Sequence, residues 1–470
     1  MITRYIKSGL AGSLGCIFAL ACVMPADAGA AAQPAKAWRL GSAVGSPEWL
    51  DFGVDSLLRY ESLDKQFRTG RAGSDQILLL RTLLKAEIKA DNYGLVAELI
   101  DARQELADSG TPISTSFVDT FDILQAYASL KLKDLVSDGS ATTVQLGRQT
   151  LDLGSRRLVA RNRFRATMNA FDGVDIQWKS KGGTMLNVFY FMPVNRTPSA
   201  AADLLDNKQD FDESNGDTQF WGVFASIGGM PLGGTLELYV MGLEEKDSAS
   251  LATADRSLYT PGFRFFNKAG KGKFDFEIEN MVQTGQSRAS TKASDTKDLD
   301  TFAWSQHLGL GYTFDMPCAP RLSLEYDYAS GDEDPADDEY NRFSTLYGVG
   351  RADFGPTSLW NAFSRANIIS PALRLGLKPA KALDIMLCDR FCWLASETDS
   401  WVGGKDAGGN SGTYIGNQIE GRFRWDAVPG NVQFEFGFAY LFAGEFMHDA
   451  PNSPDQGDAF YTYAQISFKL

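Results

Sequence analysis

The densest chemistry in the chain is Gly147 to Arg165, GRQTLDLGSRRLVARNRFR. Arg148 stands near the end of a strand-like run. Arg156, Arg157, Arg161, Arg163 and Arg165 follow in a loop. Guanidinium groups clustered in this way grip carboxylates or phosphates with paired hydrogen bonds and stay charged at any relevant pH. The cluster therefore reads as an anion-attracting lip. The competing reading is a loop that binds the phosphates of surrounding lipopolysaccharide or pairs with acidic loops of the same chain.

Acidic chemistry is concentrated in Gly331 to Glu339, GDEDPADDE. The tract lacks the ligand spacing and sharp glycine of a calcium-binding loop, so it reads as solvated, as do Asp449 and Asp455. Only two histidines are present, His307 and His448, on different segments. Neither lies beside a serine in a motif that would activate a nucleophile, so no enzyme is expected. No cofactor and no metal site are expected either. Cys388 and Cys392 stand four apart in a strand-like run, which separates their Cα atoms by on the order of 13 Å. A disulfide needs less than about 7 Å, so the two are not paired.

Compartment follows from the N-terminus. Arg4 and Lys7 precede an apolar run from Gly9 to Met24, and Pro25-Ala26-Asp27-Ala28-Gly29-Ala30 supplies small residues for cleavage. Residues 1–30 thus read as a secretory signal, and residues 31–50 as a tail rich in small residues. Beyond that signal no apolar run approaches the roughly 20 residues of a spanning helix. The net charge of −14 makes a nucleic-acid partner a poor fit.

Elements that alternate every two residues must position this chemistry. In Gln76–Lys89, Leu78, Leu80, Leu84, Ala86 and Ile88 fall on one face and Arg81, Lys85, Glu87 and Lys89 on the other, the two-residue period of a strand. Similar alternation recurs through Phe274–Glu279, Leu322–Tyr328, Val432–Tyr440 and the closing run Asp458–Leu470. About eighteen such segments can be counted, each near the ~9–11 residues of a tilted membrane strand. Their links alternate between short turns, such as Lys181-Gly182-Gly183 and Val428-Pro429-Gly430-Asn431, and long loops, such as Val194–Asp217 and Asp332–Ser364.

Even strand number with alternating link length describes an all-β transmembrane antiparallel barrel, with short periplasmic turns and long extracellular loops, in the bacterial outer membrane. The barrel is expected over 51–470. A barrel of this size is too wide for side chains to fill, so the apolar face should meet lipid and the polar face should line water. The inward cations would be Arg81, Lys85, Arg374, Arg390, Arg422 and Arg424. Inward carboxylates would include Glu98, Asp275, Glu277, Glu279, Glu325, Asp327, Glu420 and Glu435. These charges either form opposed walls or pair across neighbouring strands.

Several short motifs run in a particular order. They are Gly147-Arg148-Gln149 with Gly154 and Arg157-Leu158, then Phe171-Asp172-Gly173 and Tyr328-Ala329-Ser330-Gly331-Asp332 with Asp334-Pro335. Tyr347-Gly348 with Ala352-Asp353, Lys378-Pro379, Trp393-Leu394-Ala395, and Tyr414-Ile415-Gly416 with Glu420 complete the series. In this order they resemble the alginate-export outer-membrane proteins, from about Val54 onward. The resemblance implies an 18-stranded barrel that passes an anionic polysaccharide through an arginine-rich constriction, with Arg148 as a pore arginine. Two features depart from that family's alginate exporter: the link before the last two strands is short, and the lumen carries many carboxylates.

The expected function is passive passage of a hydrophilic, anionic polysaccharide or oligosaccharide. The alternatives are a nutrient-uptake porin for small solutes and a surface receptor with a blocked lumen. Expected partners are that solute, outer-membrane lipids and lipopolysaccharide, the barrel assembly machinery and periplasmic polysaccharide-handling proteins.

Overall fold

The alternation of Gln76–Lys89 resolves as a strand whose apolar residues face outward. Leu80 and Leu84 are exposed, while Arg81 and Leu83 are buried toward the lumen. The computed structural model describes residues 37–247 and 252–470. The secretory signal expected over 1–30 and the start of the tail lie outside these residues.

Eighteen long strands form one closed antiparallel sheet. They are β1 (Leu50–Asp64), β2 (Asp75–Lys89), β3 (Tyr93–Glu105), β4 (Asp119–Lys133), β5 (Ala141–Gln149), β6 (Phe171–Lys179) and β7 (Met185–Asn195). After a two-residue strand β8 (Glu213–Ser214) that pairs only with β7 come β9 (Thr218–Met230), β10 (Gly234–Glu245), β11 (Ser257–Phe266) and β12 (Lys273–Ser287). The chain continues through β13 (Leu299–Thr313), β14 (Arg321–Ala329), β15 (Ile368–Ala380) and β16 (Leu383–Trp393). It ends with β17 (Tyr414–Val428), β18 (Val432–Ala443) and β19 (Ala459–Lys469). Closure is made by β1 on β19, in register from Asp55 opposite Lys469 to Asp64 opposite Phe460. Among the described residues, the eighteen long strands leave no open edge to pair with another chain.

Links at one rim are at most seven residues long, as at 90–92, 231–233 and 429–431. Those at the other rim run from ten residues (65–74) to thirty-eight (330–367). Trp38 and the C-terminal Leu470 join the short-turn rim: Trp38 N donates to Asn431 Oδ1, and Leu470 N donates to Val54 O. Short turns beside the termini mark that rim as periplasmic.

The outer face carries Phe274, Phe302, Leu324, Phe436 and many other large apolar side chains in the open. An apolar band of that extent on a water-soluble protein would drive association; in a bilayer it is solvated by hydrocarbon. On β19, Phe460 and Phe468 look outward, while Tyr461 and Tyr463 are buried in the lumen against Glu61 and Glu435. Among the described residues, Cys388 and Cys392 are buried and not joined in a disulfide.

The interior differs from a simple water-filled tube. The loops 150–170 and 330–367 leave the long-loop rim and fold inward. Leu151, Leu153, Leu158 and Val159 of the first, and Phe343, Phe354, Leu359 and Trp360 of the second, are buried. They pack with inward-facing Leu63, Ile77, Ile100, Phe171, Phe191 and Phe220 into one apolar cluster. The barrel is indeed too wide for wall side chains to fill. Backbone fills it instead, because these loops bring their own apolar residues to cover the apolar inward positions near the long-loop rim.

Candidate conduction site

Loop 150–170 alternates cations with aliphatic residues, so it enters the lumen with its apolar side against the cluster and its guanidinium groups free to find carboxylates. Inside, it runs beside loop 330–367. Tyr347 N donates to Leu158 O at 3.0 Å, Ala160 N to Tyr347 O at 3.1 Å and Val349 N to Arg156 O at 3.0 Å. This approach requires glycine at 348, where a Cβ would overlap the Arg157 carbonyl oxygen. Gly355, with φ +93°, similarly lies directly over the Glu420 carboxylate.

The two loops are locked to each other and to the wall by charge. Arg157 makes a two-bond pair with Asp353, at 2.9 and 3.0 Å, and also reaches Glu277 and, at 2.5 Å, Glu279 on β12. Arg365 bonds Asp353 and, at 3.0 Å, Asp327 on β14. Asp327 in turn meets His307 at 2.8 Å and Arg390 at 3.3 Å. Glu325 takes Arg374 at 2.8 Å and Arg390 at 3.2 Å. Burial works against the charge on Arg157, but Asp353, Glu277 and Glu279 outweigh it and hold the guanidinium well above its ordinary pKa. Burial also opposes the Asp353 charge, yet Arg157 and Arg365 pull that carboxyl well below the usual range. On the opposite wall, Leu359 N donates to Glu61 Oε2 at 3.0 Å, and Trp360 Nε1 to Gln418 at 2.9 Å. Loop 330–367 therefore crosses the lumen.

Of the inward cations read from parity, Arg81 donates to the carbonyls of Arg163 and Arg165 at 3.0 and 2.9 Å, so it fixes loop 150–170. Lys85 pairs with Glu87 at 3.0 Å, and Arg422 with Asp384 at 2.7 Å. Arg424 meets Glu435. Cross-strand and loop-to-wall pairing, rather than two opposed walls of single sign, is the arrangement present. Within the basic loop, Arg161 grips both oxygens of Glu98 at 2.8 Å, and Arg163 pairs with Asp152. The Arg165 pKa is lowered to about 10 by burial and by Arg196. Arg156 is exposed, and among the described residues it has no carboxylate partner.

Arg148 is misplaced by the resemblance. It shares its strand face with Leu146, which is widely exposed on the outer face, and stands opposite outward-facing Asp172. The two form a two-bond ion pair at 2.9 and 3.0 Å near the long-loop rim. Parity on β5 turns Arg148 away from the lumen, so its motif and that of Phe171-Asp172-Gly173 meet as a strand-to-strand clasp. Several residues of the site are absent from the inward charges read from the sequence. Arg59 and Glu61, paired at 2.7 Å, are fully buried in the lumen; their alternation with outward Leu58 and Tyr60 on β1 is the signal that marks them as inward. Arg351 bonds the Tyr463 hydroxyl at 2.8 Å and covers Phe164. Asp353 and Arg365 lie in a loop, where no period marks an inward position.

Two cavities remain. One of about 610 Å³ lies toward the periplasmic rim and is lined by Arg81, Arg156, Arg163, Arg351, Arg422, Arg424 and Lys469. Only four carboxylates share that lining: Asp55, Asp152, Asp426 and Glu435. The other, of about 590 Å³, opens toward the long loops and carries Arg256, Arg288 and Arg342 against Glu245, with Tyr340, Phe343 and Tyr347. The interleaved loops stand between them. In both linings basic side chains outnumber carboxylates, and Arg288, Arg342 and Arg422 are each paired with a carboxylate behind the lining.

Comparison with known proteins agrees with this architecture. Solved structures similar to it include OpdQ of Pseudomonas aeruginosa, with a TM-score of 0.56 at 12% identity over 90% of this chain and 97% of that one. A BenF-like porin from Pseudomonas fluorescens Pf-5 gives 0.57 at 13% identity, over 89% and 98%. The outer membrane protein opdK from Pseudomonas aeruginosa gives 0.55 at 12%, over 89% and 99%. No curated protein matches the chain by sequence. At these identities the likeness is one of fold. The family model for alginate export matches residues 48–459. With its closed 18-stranded barrel and two basic cavities, this chain belongs to the alginate export family and is an outer-membrane channel.

Proposed function

We propose that the channel passively conducts a carboxylated oligosaccharide or polysaccharide, selecting it by the positive excess of its cavities. The observation that carries this reading is the periplasmic cavity, where seven basic side chains face four carboxylates and Arg156 is unpaired. An unpaired guanidinium in a recess offers a fork that matches a carboxylate in two bonds, and low-dielectric walls strengthen its field. No catalytic step is part of the proposal: His307 is engaged by Asp327, itself bound by two arginines. Partners in this reading are the solute, the surrounding lipids with lipopolysaccharide, the assembly machinery that closes β19 on β1, and periplasmic proteins that hand over the solute.

Ion selectivity in a planar bilayer tests it. The purified barrel under a salt gradient should prefer chloride over potassium. Arg156→Glu lowers the cavity's excess from three positive charges to one and should cut that preference several-fold. Unchanged selectivity in Arg156→Glu would remove Arg156 from the mechanism.

A second reading, uptake of small anionic solutes, is favoured by the two loops that cross the lumen between the cavities. Block of the current by uronate oligomers of increasing length separates the two. Block that strengthens with length supports the polysaccharide, and block confined to the monomer supports the small solute.

A further inference from the structure

At the long-loop rim, away from both cavities, three carboxylates converge. Asp119 and Asp122 stand at the start of β4, and Asp212 comes from the link between β7 and β9. Each offers an oxygen, and these atoms all lie within 4.8 Å of one another. Asp119 and Asp122 are each only 2% exposed. Asp119 Oδ1 has no hydrogen-bond partner among the described residues, although it is buried. An ionised carboxylate oxygen left without a partner in a buried position is expensive.

Arg148 and Arg196 stand near these charges, but neither forms an ion pair with them among the described residues. Arg148 is committed to Asp172 and reaches this group only through the Asp212 carbonyl, at 3.3 Å. Arg196 donates to the carbonyls of Thr115 and Met168 and to Asn169 Oδ1. Asp210 adds a further negative charge near Asp122. The Asp122 oxygens accept from the Asp212 and Ile123 amides, and Asp212 Oδ1 accepts from the Thr197 amide at 2.9 Å. Those bonds orient the carboxylates without neutralising them.

We propose that Asp119, Asp122 and Asp212 bind one calcium ion, which clamps the 196–217 link onto β4. The donors are all oxygen, which suits a hard cation. Their irregular arrangement suits calcium, which tolerates six to eight ligands in flexible geometry, better than magnesium. The rim faces the exterior, where such ions are available to a surface site. The acidic tract 331–339 is a different place in the fold: Asp334 and Asp337 accept from their own loop amides and Asp338 pairs with Lys297.

Isothermal titration of calcium chloride into the chelator-treated barrel in detergent should show one ion per chain. Asp119→Asn/Asp212→Asn should lose that ion, while Asp334→Asn/Asp337→Asn keeps it. The wild-type barrel supplies a readout that needs no variant: trypsin cleavage after Lys208 should slow at least several-fold with calcium at pH 7.5. No heat from the wild type, calcium-independent cleavage at Lys208, or full binding in a folded Asp119→Asn/Asp212→Asn barrel would each overturn the proposal.

Discussion

At the scale of single residues, what matters is whether a cation has found its carboxylate. Arg157 has found three, and all but Glu277 are nearly inaccessible to water. Removing one partner of a buried pair leaves the others uncompensated, at a cost of about 3–5 kcal/mol. Arg157→Ala should therefore lower stability by roughly that amount in guanidinium unfolding followed by tryptophan fluorescence. The same variant should raise open-channel noise as the loops separate; a quiet, equally stable channel would show that Arg157 does not lock them. The pH dependence has a definite sign. Asp353 is depressed in the folded state, so its contribution is fully present above its unfolded pKa of about 3.9. It is lost only as pH falls through the lowered value. Conductance should thus stay constant from pH 8 to pH 5, and a step within that window would point to another group. The inward direction of Arg81, Lys85, Arg374, Arg390, Arg422 and Arg424 was legible from parity alone. Their partners were not, because pairing depends on register and on loops that carry no period.

At the scale of elements, strands and loops obey different signals. Eighteen strands were readable because each must be greasy on the lipid side, and the closing run from Asp458 carries that pattern to its end. Loop 330–367 defeats such reading: its lumen-crossing path rests on particular residues, Gly348 against the Arg157 carbonyl and Gly355 over Glu420. Gly348→Val should push the two loops apart and enlarge single-channel conductance, and an unchanged conductance would deny the close approach a gating role. Arg148 shows how a motif can mislead. The match is real, but parity on β5 assigns it to a clasp with Asp172 on the outer face. Arg148→Ala is accordingly expected to leave ion selectivity unchanged while loosening the rim, seen as faster proteolysis of the 196–217 link. A selectivity change in Arg148→Ala would return that residue to the pore.

At the scale of the whole molecule, overall charge and pore charge have opposite signs. The chain carries −14, yet both cavities have more cations than carboxylates. Exposed tracts such as Glu333–Glu339 contribute to the negative total, whereas the cavity toward the periplasmic rim is lined by seven basic side chains and four carboxylates. Composition averages over the two and hides the difference. The most direct measurement is the current through one barrel in a planar bilayer, with oligouronate or neutral maltodextrin of equal length added to the periplasmic side. The predicted result is an anion-selective current blocked by the oligouronate and untouched by the maltodextrin. A cation-selective current, or equal block by both sugars, would contradict the account.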